Sequence, residues 1–210
     1  MHLTDEELRA LVASTRRTYE ESAAIYIRTT DTLDKFPGLD RELDRFFAAL
    51  PGGLVLDLGC GAGRDAEYLI EQGGDVVVSD VSPEMLRHTR GRCAVFGAVQ
   101  CDLLALPLAG GVFDGVWACA SVLHLPSTAH PDAFSEIHRV LAPGGVAAIS
   151  LKAGTSEGWV RDDRMPSPRW FSLRRPEAVV EELVAAGFAS ARVLPSGRGT
   201  WFVVEAAKAP

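Results

Sequence analysis

Residues 54–69 read LVLDLGCGAGRDAEYL, an apolar run that passes through three glycines into a stretch of helical character. How those glycines are framed decides both the fold and the ligand. Gly61-Ala62-Gly63-Arg64-Asp65-Ala66 satisfies the dinucleotide pattern G-x-G-x-x-A, whereas Asp57 to Gly63 satisfies D-x-G-x-G-x-G. The letters fit both, so the surrounding pattern has to choose.

Outward from this stretch the chain alternates between two periods. LVLDL reads as a strand and RDAEYLIEQ as a helix ended by Gly73-Gly74. DVVVSD is the next strand, and Ser82-Pro83 supplies an N-cap with proline at the first helical position, opening a helix to Arg90. AVQCD and VFDGVWACA read as strands, Pro131–Leu141 as a helix stopped by Pro143-Gly144-Gly145, and VAAISL as a buried strand. A helix over Pro176–Ala186 precedes two closing strands, ARVL and TWFVVEA, joined through Pro195-Ser196-Gly197. Strands alternating with helices imply an α/β fold, a Rossmann-like, doubly wound and mostly parallel sheet. With no helix between them, the last two strands should form an antiparallel hairpin at its edge.

Before the glycines, Thr4-Asp5-Glu6-Glu7 has the form of a capping box, and Leu8, Leu11, Val12, Thr15 and Tyr19 recur at helical spacing. Tyr26 continues the same face, and a second helix is expected over Leu39–Leu50. The chain therefore divides into an N-terminal helical segment, 1–50, and one compact unit, 51–210, with an irregular insertion at 152–172.

Composition narrows the class. Of 210 residues, 47% are hydrophobic and 23% charged, which suits one globular domain. No apolar run approaches membrane-spanning length, and the polar opening MHLTDEELRA is not a signal peptide, so a cytoplasmic protein with no membrane partner is expected. Cys60, Cys93, Cys101 and Cys119 lack metal-ligand spacing, which argues against a zinc site or disulfide framework. A net charge of −7 argues against a nucleic-acid partner, because phosphate binding draws on clustered Lys and Arg.

Context favours the D-x-G-x-G-x-G frame. A dinucleotide loop begins its G-x-G as the apolar strand ends, and here the strand ends at Leu58 with Gly59 next. Counted from Gly59, the third dinucleotide glycine falls on Arg64. Asp57 would also put a carboxylate near the pyrophosphate. A cationic ligand such as S-adenosylmethionine removes that objection. Asp80, ending the second strand, can accept ribose hydroxyls with either ligand, and Asp102 follows the third strand.

VLDLGCGAGRD, VVVSDVSPEML, VQCDLLALPL, FDGVWACASVLHL and IHRVLAPGG, in this order between about Gly53 and Leu151, resemble the class I S-adenosylmethionine-dependent methyltransferases, specifically the small-molecule group sometimes called type 11. The resemblance implies that Gly59, Gly61 and Gly63 border the methionine part of the cofactor and that Asp57 orders their loop. It puts Asp80 on the ribose, Asp102 and the Leu103 amide on the adenine, and the backbone near Cys119 on the ammonium. The N-terminal helices would form a lid over the cofactor.

Methyl transfer depends on holding the acceptor in line with the methyl group, and needs a base only if the acceptor loses a proton. His124, just past the fourth strand, is the candidate base, with a packing role as the alternative. His138 falls mid-helix away from that edge and reads as structural; His2, His88 and His130 carry no signal. Tyr19 and Tyr26 either face the cleft or join the lid to the sheet. Lys152, Trp159, Arg161, Arg164, Arg169 and Trp170 in the insertion suit an anionic or aromatic acceptor, unless Glu157, Asp162 and Asp163 neutralise the arginines. A small metabolite methylated on oxygen or nitrogen is the expected acceptor. The rivals are a peptide acceptor, an S-adenosylmethionine-binding protein that transfers no methyl, and, far behind, a nicotinamide oxidoreductase.

Overall fold

The computed structural model describes residues 4–162 and 165–210, without the side chains of Asp5 and Asp162. His2, Asp163 and Arg164 lie outside these residues. The chain opens with α1 (Asp5–Glu21), whose cap is a full box: Glu7 N donates to Thr4 Oγ1 at 3.3 Å and Thr4 N to Glu7 Oε2 at 2.7 Å. The helix breaks at Ser22 and restarts as α2 (Ala23–Thr30), so Tyr19 and Tyr26 do not share one continuous helix. Their rings still meet edge-on, 5.1 Å apart.

After α3 (Leu39–Ala48) the alternating core begins: β1 (Leu54–Leu58), α4 (Arg64–Glu71), β2 (Asp75–Asp80), α5 (Pro83–Arg92), β3 (Gly97–Gln100), β4 (Phe113–Cys119), α6 (His130–Val140) and β5 (Leu141–Lys152). A two-stranded ribbon, β6 (Glu157–Asp162) and β7 (Met165–Ser172), precedes α7 (Pro176–Ala185), β8 (Ser190–Leu194) and β9 (Trp201–Ala207). The main sheet has seven strands in the order β3-β2-β1-β4-β5-β9-β8. The first five run parallel, β9 is antiparallel to β5, and β8 is antiparallel to β9. The order reverses between β1 and β4, which opens a crevice at their carboxyl ends, where ligands bind in such sheets.

The period of two along the strands sorts side chains onto two faces. Leu56 and Leu58 of β1, Val116 and Ala118 of β4, and Ala147 and Ile149 of β5 pack under α6 and α7. Val55, Trp117 and Ala148, one residue out of phase, pack under α3, α4 and α5. Leu39, Leu43 and Phe46 of α3 are buried in that second cluster, so α3 packs as part of the sheet layer.

The 152–172 insertion corrects one expectation. It is regular: Trp159 pairs with Trp170 and Glu157 with Ser172 across an antiparallel ribbon with a register shift after Val160. Its prolines, Pro166 and Pro168, obscure the strand pattern, but a two-stranded ribbon has two outer edges where a missing N–H costs no ladder bond. No helix among the described residues is long and apolar enough to cross a membrane.

Candidate active site

The glycine loop leaves β1 at Leu58 and enters α4 only at Arg64, with Gly63 as its N-cap. Gly59 has φ +87°, and a Cβ there would lie 2.5 Å from Cβ of Ser121. Gly63 has φ +74°, and a Cβ there would meet Thr89 at 2.7 Å. Both positions therefore need glycine for conformation and for space.

Two carboxylates lie beneath the loop. Asp57 points to the α3–α4 face, 2% exposed, and its Oδ2 has no hydrogen-bond partner among the described residues. Burial, reinforced by the charge of Asp65, pushes its carboxyl well above the usual range. Burial acts on Asp65 in the same direction, yet the Arg64 guanidinium at 2.6 Å and the Trp117 indole N–H at 2.9 Å outweigh it and hold this carboxyl low.

The cleft over the β1–β4 reversal is walled by Leu58, Gly59 and Gly61, by Asp80 and Val81, and by Asp102 and Leu103. Tyr19, Tyr26, Cys119, Ala120 and His124 close its other side. Asp80 Oδ2 accepts the Gly61 amide at 3.0 Å and Oδ1 accepts the Ser82 amide at 2.9 Å. A carboxylate has about four acceptor sites, so lone pairs remain for a ligand's hydroxyls. Burial raises the Asp80 carboxyl against the pull of those amides. Asp102 is fixed by the Leu104 amide on its Oδ1 at 3.0 Å. Burial pushes the Cys119 thiol up to about 12, so it stays protonated. Among the described residues, two carboxylates and no Lys or Arg line this cleft. That wall suits a ligand carrying a sulfonium and an ammonium, and offers a pyrophosphate no side-chain cation.

A second cavity of about 350 Å³ adjoins it, and both are lined by Tyr19, Tyr26, Cys119, Ala120 and His124. Its remaining wall is Arg64, Lys152, Arg169 and Arg198 among Phe36, Leu123, Phe171 and Trp201. Nδ1 of His124 lies 2.7 Å from the Trp170 carbonyl, and Nε2 lies 2.8 Å from Tyr19 Oη. Nη1 of Arg169 donates to the same phenol oxygen at 3.2 Å. β7 also holds α1 directly, since the Pro168 carbonyl accepts Thr18 Oγ1 at 3.1 Å.

Gly59, Gly61, Asp80, Asp102, Leu103, Cys119, His124, Tyr19, Tyr26, Lys152 and Arg169 therefore converge, with Asp57 beneath the loop, while Gly63 turns toward Thr89 and lines neither cavity. Trp159 and Trp170 do not, which corrects their expected contact with an acceptor. They are cross-strand partners with ring centroids 5.6 Å apart, on the face of the ribbon opposite Arg169 and Phe171. His138 packs against Phe188, away from the cleft.

The residue pattern did not single out Arg198, Phe171, Trp201 or Ala120. Trp201 pairs with Lys152 across β5 and β9, a long-range register that no local pattern marks. Ala120 is the one non-glycine with positive φ (58°) among the described residues, a strained position at the lip of both cavities. No group of three or more His, Cys, Asp or Glu that could hold a metal occurs among the described residues.

Residues 55–145 match a family model described as a methyltransferase domain. A malonyl-[acyl-carrier protein] O-methyltransferase of Enterobacter lignolyticus is 36% identical over 142 residues, 64% of this chain and 56% of the relative. The enzyme of the same name from Pseudescherichia vulneris is 30% identical over 174 residues, 78% of this chain and 67% of the relative. The chain thus spans little more than half the length of the first of these relatives. Among solved structures, a Burkholderia thailandensis 1,6-didemethyltoxoflavin-N1-methyltransferase with bound S-adenosylhomocysteine shares the fold at a TM-score of 0.73 and 21% identity, covering 100% of this chain and 92% of that one. The chain belongs to the class I S-adenosylmethionine-dependent methyltransferases.

Proposed function

We propose that the chain transfers the methyl group of S-adenosylmethionine to an oxygen or nitrogen of a small acceptor held in the second cavity. The observation that carries this reading is the shared wall: a cleft lined by two carboxylates opens onto a cavity lined by four cations, with Tyr19 and His124 at the junction. Relatives named for O-methylation of malonyl-[acyl-carrier protein] support an oxygen acceptor.

When bound, S-adenosylmethionine supplies a methyl group already activated by its sulfonium. The chain contributes position. Asp80 holds the ribose hydroxyls, Asp102 and the Leu103 amide hold the adenine, and the backbone near Cys119 and the Gly59–Gly63 loop hold the methionine part. Asp57 braces that loop from beneath. The paired helices α1 and α2 act as the lid and exclude water from the junction, while α3 belongs to the sheet layer. Where the acceptor carries a proton, Tyr19 Oη receives it as the phenol's own proton passes to Nε2 of His124. Four free thiols fit a reducing cytoplasm, and the net charge disfavours nucleic acid as the acceptor.

The test is transfer of isotopically labelled methyl from S-adenosylmethionine into a fractionated extract of the source cells, read by mass spectrometry. Label in one small molecule is the expected result. Label in protein alone would move the acceptor to a peptide. With S-adenosylhomocysteine bound and no label anywhere, the chain would be a binder that transfers no methyl.

A further inference from the structure

The second cavity is lined by four cationic side chains, and among the described residues it is lined by no carboxylate. Two of the cations are balanced from behind. Arg64 pairs with Asp65 at 2.6 Å, and Arg198 pairs with Glu42 at 2.5 Å, both members of the second pair being nearly buried. Arg198 also donates to Ser150 Oγ at 2.6 Å. Arg169 is spent partly on Tyr19 and lies over the Phe171 ring, 5.1 Å from its centroid.

Lys152 is different. It ends β5 at the ligand edge of the sheet, and among the described residues no carboxylate lies within ion-pair distance of its ammonium. Its Nζ sits instead between two aromatic walls, 5.4 Å from the Trp201 centroid and 5.6 Å from the Phe171 centroid. An ammonium held in a half-enclosed site without a counter-ion is poorly compensated by ring faces alone, and an entering anion would supply charge-assisted hydrogen bonds. The volume of about 350 Å³ falls in the range of small-molecule sites. Tyr26, Phe36 and Trp201 offer apolar surface on the same walls.

We propose that this cavity is an oxyanion site. The acceptor carries a carboxylate or a similar oxyanion on an apolar or aromatic body, and Lys152 is the residue that selects for that charge. The inference rests on the reading of the cavity as the acceptor site and deepens it. It makes Lys152 a specificity residue: it binds the anion, and the methyl transfer itself proceeds at the Tyr19–His124 end.

Benzoate and its neutral isostere benzamide are the probes, titrated by calorimetry at fixed ionic strength into the chain with and without S-adenosylhomocysteine. Benzoate should bind at least tenfold more tightly than benzamide. Lys152→Met should remove that preference, and Lys152→Arg should restore most of it, which separates lost charge from lost packing. Equal binding of the two probes, no binding of benzoate, or an unchanged preference in Lys152→Met would overturn the proposal. Normal S-adenosylhomocysteine binding without anion preference would defeat the oxyanion site alone. Benzoate preference without S-adenosylhomocysteine binding would instead defeat the cofactor reading and leave the anion site standing.

Discussion

Tyr19 Oη lies 2.8 Å from Nε2 of His124, across 105 residues of sequence. For a neutral ring, the other ring nitrogen fixes the direction of this bond. A carbonyl only accepts, so Nδ1 facing the Trp170 oxygen at 2.7 Å carries the proton, and Nε2 of the neutral ring accepts from the phenol. β7 therefore sets the tautomer, and α1 supplies the phenol that completes the pair. For an acceptor that loses a proton, Tyr19→Phe should lower kcat by about 10²-fold or more while KM and S-adenosylhomocysteine affinity change little. Initial rates and calorimetry on the same preparation check this. An unimpaired phenylalanine variant would reduce the pair to a packing contact.

Asp80 uses one oxygen on the Gly61 amide and the other on the Ser82 amide, so it ties the glycine loop to the N-cap of α5. Asp80→Asn keeps an acceptor oxygen but gives up the charge and one backbone bond. S-adenosylhomocysteine affinity should fall at least tenfold, and the melting temperature should drop by a few degrees, about the 2–4 °C that each kcal/mol is worth at this size. Calorimetry showing unchanged affinity in the folded variant would remove Asp80 from the cofactor site.

What could be read before folding follows from range. The β–α alternation, the glycine frame and the acidic residues at strand ends are local patterns, each set by a few neighbouring residues. The turns of Arg169 into the cavity and of Trp170 onto the buried opposite face are not local: they depend on the phase of the pleat in β7, which a one-residue slip would invert. Arg198 reaches the cavity only because β9 runs back beside β5 and brings Trp201 level with Lys152. Nothing in the letters ACASV marks Ala120 for left-handed backbone; the bend follows from its place at the end of β4.

Asp57 carries a cost that function would explain. Its buried Oδ2 lacks a partner among the described residues, and burial together with Asp65 raises its carboxyl. The folded chain thus keeps this proton to a higher pH than the unfolded chain does. Ionisation of Asp57 works against folding at neutral pH, and its contribution becomes more favourable as the pH falls through the raised value. Asp57→Asn cannot ionise. It should melt at least 2–4 °C higher than the parent at pH 7, by about 1 kcal/mol or more, and bind S-adenosylhomocysteine more weakly. A variant both less stable and equally tight in binding would contradict the role given to this carboxylate.

His130 supplies a pH dependence of the opposite sign. The ring is buried between Arg174, whose Nη1 donates to Nδ1 at 2.7 Å, and the Leu125 carbonyl, 3.2 Å from Nε2. Burial, then the charge of Arg174, takes the imidazole down to about 3. The unfolded chain protonates this histidine near the ordinary value of about 6.5 while the folded chain stays neutral. Its stabilisation is therefore complete above about pH 6.5 and is lost toward pH 3, at about 1.4 kcal/mol per pH unit. His130→Gln keeps one acceptor and one donor but no titration. Other groups contribute equally to both proteins, so the difference between them isolates His130. By pH 5 the parent should have lost about 2 kcal/mol more than the variant, measured by denaturant unfolding at pH 7 and pH 5. A difference that stays constant with pH would mean that His130 is protonated in the fold, and the Arg174 contact at Nδ1 could not then be a hydrogen bond.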